Sequence, residues 1–101
     1  VAEIKCLEFV LKYAEENNIK PIIDLTNYKR LEKQLLSGEL DYLKTDKPKI
    51  DDLVIFKGGK YGLHLGIFKG NNKMLHFKNG EVIGRLNKYN DKIIGVYKWR
   101  Q

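Results

Sequence analysis

The chain contains one cysteine, Cys6, in 101 residues, so no disulfide can form within it and the fold rests on packing alone. It also lacks any apolar run near the roughly 18 residues needed to cross a bilayer. The first residues show none of the basic, apolar and small-residue regions of a secretory leader. A soluble domain with no membrane span is expected, while the start at Val1 rather than Met leaves the compartment and any larger parent open. There is no concentrated block of one charge either: the net charge of +6 comes from lysines spread along the chain with acidic residues between them. A nucleic-acid footprint would group Lys and Arg on one face with stacking aromatics. Only Lys57, Lys60, Lys69, Lys73 and Lys78 approach that pattern, and no nucleic-acid partner is expected. A mildly basic surface is instead drawn to anionic polymers through salt-sensitive long-range attraction.

What is present is ordinary for a globular domain, with 43% hydrophobic and 11% aromatic residues. The length suits a single core, so residues 1–101 are expected to form one domain. From Ile4 to Asn17, Ile4, Leu7, Val10, Leu11 and Ala14 recur at helical spacing, with Cys6, Phe9 and Tyr13 on an adjoining face. Asn17 and Asn18 tolerate a left-handed cap, and Pro21 prevents continuation. Thr26 or Asn27 can cap a second helix with a Tyr28, Leu31, Leu35 stripe, ended by Ser37 and Gly38. Glu39 to Lys49 carries no clean period and reads as a loop or a short helical turn. Five strand-like segments follow: Asp52–Lys57, Leu63–Lys69, Met74–Lys78, Glu81–Leu86 and Ile93–Trp99. Helices first and strands second predict an α+β domain, N-terminal helices packed on a five-stranded antiparallel meander.

The chemistry-bearing residues are few. A lone cysteine is either buried filler or a reactive thiol. Cys6 is expected to open the first helix, where unpaired N–H groups and the helix dipole favour a thiolate, with Lys5 beside it. Strand alternation puts His64, Gly66 and Phe68 on the face opposite Leu63, Leu65 and Ile67, and His76 opposite Leu75 and Phe77. Whether the histidines share a face depends on the turn at Gly70, Asn71 and Asn72. A two-residue loop pairing Gly70 with Lys73 sets Ile67 opposite His76 and separates them. A three-residue loop pairing Lys69 with Lys73 sets Gly66 opposite His76, with His64 as its diagonal neighbour. One thiol and two imidazoles then supply a nucleophile, a base and a group that orients the base.

The order Cys, His, His, on a helix followed by antiparallel strands, resembles the papain-like NlpC/P60 family of cell-wall cysteine peptidases over nearly the whole chain. The stretches Asp51-Asp52-Leu53-Val54-Ile55-Phe56 and His64-Leu65-Gly66-Ile67-Phe68-Lys69-Gly70-Asn71-Asn72-Lys73-Met74-Leu75-His76 are similar to that family's G-D-L-V-F-F and H-V-G-I-Y-x-G-N-G-K-x-I-H. Around the cysteine, Cys6, Phe9 and Val10 fit its D-C-S-G-F-V, while Lys5, Leu7 and Glu8 depart. Phage tail-associated members also carry a bulky residue after the cysteine. The resemblance implies a thiol hydrolase cutting an amide of a peptidoglycan stem peptide beside a D-glutamyl and a diamino-acid residue. Cys6 is then the nucleophile, with its backbone N–H on the oxyanion, His64 the base and His76 the residue that orients it. It implies no cofactor and no metal, and an extracellular, cell-envelope or virion-tail location. A supporting tyrosine that many members place upstream of the cysteine is not among the five residues before Cys6; Tyr13, Tyr28, Tyr42 and Tyr61 are the candidates. Tyr61, Phe68 and Trp99 are weighed as cleft-lining against packing roles. Two further readings stay open: amidase or acyltransferase chemistry on the same triad, and a non-catalytic binding or assembly module such as a phage tail component.

Overall fold

The structure, a computed structural model, describes residues 2–57, 62–77 and 80–100. The first helix, α1, runs Ala2–Glu16 and buries Cys6, Leu7, Val10 and Ala14. Asn18 takes the left-handed conformation at φ 54°, and Ile19 N–H reaches back to the Ala14 carbonyl at 2.8 Å. This bond, six residues to one, closes the helix in the manner the two asparagines predict. The second helix, α2, spans Tyr28–Leu36; the Asn27 side chain accepts from Arg30 N–H at 3.1 Å, and Leu31 and Leu35 are buried. No helix among the described residues is long and apolar enough to cross a membrane.

The strands are β1 Lys44–Thr45, β2 Leu53–Lys57, β3 Leu63–Gly70, β4 Lys73–Phe77, β5 Glu81–Arg85 and β6 Ile93–Tyr97. They form one open antiparallel sheet of six strands in the order β1-β6-β2-β3-β4-β5. The expectation of five strands is corrected by β1, which lies in the Glu39–Lys49 segment after a 3₁₀ turn at Asp41–Leu43. Two residues have no period of their own; β1 exists because Lys44 and Thr45 pair with Tyr97 and Val96. The last strand does not extend the meander. It crosses back to pair with β2, Leu53 opposite Tyr97, which makes β2 central and leaves β5 at an edge.

Alternation along the strands builds two separate clusters. On one face α1 and α2 cover Leu53, Ile55, Leu63, Leu65, Ile67, Leu75, Tyr97 and Trp99. On the other, Val54, Phe56 and Met74 are buried, with Phe68, Leu86, Tyr89, Ile93 and Val96 packed round them. The 3₁₀ turn Leu86–Tyr89 supplies part of that second cover. A polar latch ties α1 to the sheet: Tyr13 donates to Asp51 at 2.6 Å and Lys69 Nζ donates to Tyr13 Oη at 2.7 Å. Burial and the Asp51 carboxylate raise the Tyr13 phenol, and the Tyr13 hydrogen bond raises Lys69 against its own burial.

Tyr97 is fully buried, and its hydroxyl has no hydrogen-bond partner among the described residues. Burial, with the Asp41 charge second, pushes its phenol up from 10.0 to about 12. The folded state holds this proton more tightly than the unfolded chain, so the associated stability is complete below pH 10.0 and is lost as pH rises towards about 12. Tyr97→Phe is therefore expected to gain about 1 kcal/mol near neutrality by removing an unsatisfied buried hydroxyl. It should also flatten the alkaline loss. Urea unfolding of both proteins from neutrality to high pH checks both effects.

Candidate thiol and imidazole site

The register at the β3–β4 hairpin decides the histidine geometry. Gly70 pairs with Lys73, and Asn71 and Asn72 both have positive φ, at 49° and 63°, a two-residue turn of the primed kind. By simple alternation that turn separates the histidines. It does not, because the ladder shifts between Phe68 and Gly70: one extra residue is bulged out, and Gly66 faces His76. The same-face arrangement is thus reached by a two-residue turn plus a bulge instead of a three-residue loop. His64 pairs on its other side with Phe56.

His64 stacks on the Phe56 ring at 5.5 Å between centroids and 27°. His76 meets the same ring edge-on at 5.8 Å and 88°, and the Tyr89 ring at 5.9 Å. His76 is only 4% exposed and so lies in a covered part of that face. Two glycines make the space. A Cβ on Gly84 would stand 2.9 Å from His76 Nε2, and one on Gly66 3.0 Å from Met74 Sδ and 3.4 Å from His76 Cβ. Phe56, Tyr89 and Gly84 belong to the imidazole surroundings and escaped the reading of the sequence. Phe56 was accessible in principle, since it shares parity with Val54 on a strand beside His64.

Cys6 comes from α1, which packs on the face opposite the imidazoles. Its sulfur nonetheless reaches the strand that carries His64. On β3 the even residues bond towards β2, as Phe68 N–H does to Asp52 C=O at 2.8 Å, so the odd residues direct their amides at β4. Among the described residues the last β3–β4 pair is Gly66–His76. One residue on, Leu65 N–H donates to Cys6 Sγ at 2.8 Å, and the thiol is directed at Leu65 C=O at 3.5 Å. The sulfur thus binds the β3 amide adjoining that pair. Since Leu65 N is attached to the His64 carbonyl carbon, covalent geometry keeps Sγ within about 5 Å of His64 Cα.

One expectation for Cys6 is corrected. The helix is already formed at Ala2, which places Cys6 in its second turn. Its N–H lies beyond the first four helical donors, so it is not one of the unpaired amides and is not free to hold an oxyanion. The sulfur is buried, Cys6 being 1% exposed, and Lys5 beside it is exposed.

Tyr28 is the tyrosine that reaches this strand edge. Its hydroxyl accepts from Leu63 N–H at 2.6 Å, two residues from the amide held by the sulfur. A Cβ at Gly62, whose φ is +84°, would overlap the Tyr28 hydroxyl, so a glycine is needed there both for conformation and for the approach. Tyr13 is committed to the latch with Asp51 and Lys69, Tyr42 is largely in solvent, and Tyr61 lies outside the described residues. Trp99 is fully buried in the helix-side core and Phe68 packs on the second cluster, which are packing roles. Of the basic stretch, Lys60 and Lys78 lie outside the described residues.

A groove of about 650 Å³ runs between α1 and β4, floored by Phe9, Tyr13, Leu75 and Phe77 and rimmed by Lys5, Glu8, Lys12 and Glu16. Among the described residues no three or more His, Cys, Asp or Glu side chains are grouped to hold a metal ion. No family model and no curated protein matches the chain.

Proposed function

We propose that the protein is a thiol hydrolase of the NlpC/P60 type, a cysteine peptidase acting on peptidoglycan stem peptides, with Cys6, His64 and His76 as its working residues. The observation that carries this reading is the 2.8 Å hydrogen bond from Leu65 N–H to Cys6 Sγ. It holds the only thiol of the chain against the amide next to His64, beside the last β3–β4 pair among the described residues. A donor aimed at sulfur also supports negative charge there. In this reaction the His64 imidazole, which stacks on Phe56 on the face opposite α1, has to reach round β3 to take the thiol proton; the thiolate forms a bond to the amide carbonyl carbon, and the carbon–nitrogen bond breaks as His64 returns the proton to the leaving amine. Water, deprotonated by His64, then hydrolyses the thioester and frees Cys6. His76 acts through His64, held in the glycine-lined space beneath Phe56.

Amidase or acyltransferase chemistry would use the same residues with a different acceptor. A non-catalytic binding or assembly module, such as a phage tail component, draws on a different observation: Cys6 is 1% exposed and lies one turn inside α1. Digestion of purified peptidoglycan, followed by mass analysis, separates these readings. The expected result is a stem-peptide cut that adds one water, with the cut lost in Cys6→Ser. Absence of any new fragment with folded, reduced protein would remove the peptidase reading.

A further inference from the structure

The solvent side of α1 carries a stripe of four exposed charges whose signs alternate, Lys5, Glu8, Lys12 and Glu16, and this stripe rims the groove between α1 and β4. Their spacings of three and four residues suit pairing along one helix. Among the described residues, however, none of the four makes an ion pair. We infer that the stripe is a self-association surface, on which α1 of a second copy of this chain docks antiparallel about a two-fold axis, Lys5 against Glu16 and Glu8 against Lys12 of the other copy. The surface lies on the outside of α1 and does not depend on the reading of Cys6.

The order of the charges selects a second copy as the occupant. In an isologous contact, residue i meets residue j and j meets i. Read backwards, the stripe shows the opposite sign at every position, so the Lys5–Glu16 and Glu8–Lys12 pairs share one centre near Val10 and symmetry doubles each of them. A parallel two-fold pairing would set Lys5 on Lys5 and Glu8 on Glu8, which repels, so the pattern fixes the direction of docking as well. Exposed ion pairs alone hold proteins together weakly. An apolar contribution lies beside the stripe: Phe9 and Phe77, half-buried with ring centroids 6.0 Å apart, line the groove, and Ile83, 64% exposed, is paired with Leu75 on the same side of the sheet. A second copy seated on α1 roofs the groove and takes these groups out of water. The imidazoles sit on the far face of the sheet with Phe56 and stay outside the contact. A contact of this kind belongs to the small, transient class, under about 1,200 Å² in total, with a Kd expected at roughly 10–100 µM.

Sedimentation velocity over concentrations from roughly a tenth to ten times that Kd tests the inference. The native chain is expected to pass from monomer to dimer, and added salt to shift it back. Glu8→Lys and Lys12→Glu each turn two attractions into two repulsions, so either variant alone should associate at least about tenfold more weakly. An equimolar mixture of the two variants restores opposite signs at every contact between unlike chains, and a heterodimer of native strength is expected. Pairing within one helix cannot produce that recovery, because each helix in the mixture keeps its own like charges. Circular dichroism confirms that the helix is retained; should either variant lose it, Lys5→Glu and Glu16→Lys carry the same complementation. A native protein that stays monomeric throughout, a single variant that dimerises as the native chain does, or a mixture of folded variants that stays monomeric overturns the inference.

Discussion

On the proposed reading, His64→Ala is expected to slow stem-peptide hydrolysis by about 10³-fold or more, because it removes the group proposed both to generate the thiolate and to protonate the leaving amine. The loss should fall on kcat with little change in KM, since the imidazole packs against Phe56 and acts on transferred protons instead of bound substrate. His76→Ala is expected to lose less, and the double variant little more than His64→Ala alone. That non-additivity follows if His76 works only by orienting His64. Independent losses that multiply would show His76 to have a separate role. Measured turnover on one defined stem peptide, with circular dichroism to exclude unfolding, is sufficient for all three variants.

The largest stability effect is expected from Trp99→Ala. Trp99 is fully buried in the helix-side core, and its Nε1–H donates to the Asp51 carbonyl at 2.6 Å. Asp51 is itself in the left-handed region, at φ 77°, and also binds Tyr13 and Lys69. Truncation therefore empties a large core volume and releases one anchor of a strained residue. A loss of about 3–5 kcal/mol follows, comparable to much of a small domain's total stability. At about 4–8 °C per kcal/mol for a domain of this size, the midpoint should fall by roughly 15–30 °C. Trp99→Phe keeps most of the volume and loses the donor, so it should fall well short of that. Equal losses in the two variants would assign the effect to the hydrogen bond, and a loss below about 1 kcal/mol in Trp99→Ala would contradict the packing account.

The elements that were legible in the sequence are those specified locally. Helical spacing and the Asn18 cap fixed α1 near its observed C-terminus, and alternation in β3 assigned His64 and Leu65 to opposite faces without any tertiary information. The elements that were not legible are those that other parts of the chain determine. Lys44 and Thr45 become a strand only by pairing with β6. The bulge before Gly70 was hidden because Gly70, Asn71 and Asn72 all tolerate positive φ, so residue types alone leave the number of looped residues undecided. The sulfur contact with Leu65 and the hydroxyl contact with Leu63 join residues 59 and 35 apart, and no local signal announces either. The start of α1 at Ala2 moved Cys6 from a helix N-terminus into the second turn. The thiolate support argued from helix ends is thereby replaced by an amide of β3.

The most direct measurement is the pH dependence of Cys6 alkylation by iodoacetamide in the native and His64→Ala proteins. The account predicts that native Cys6 reacts with a midpoint well below the value of about 8.5 of a free thiol, and that His64→Ala returns the profile towards that value. A native midpoint near 8.5, or a thiol inert until the protein unfolds, would contradict it.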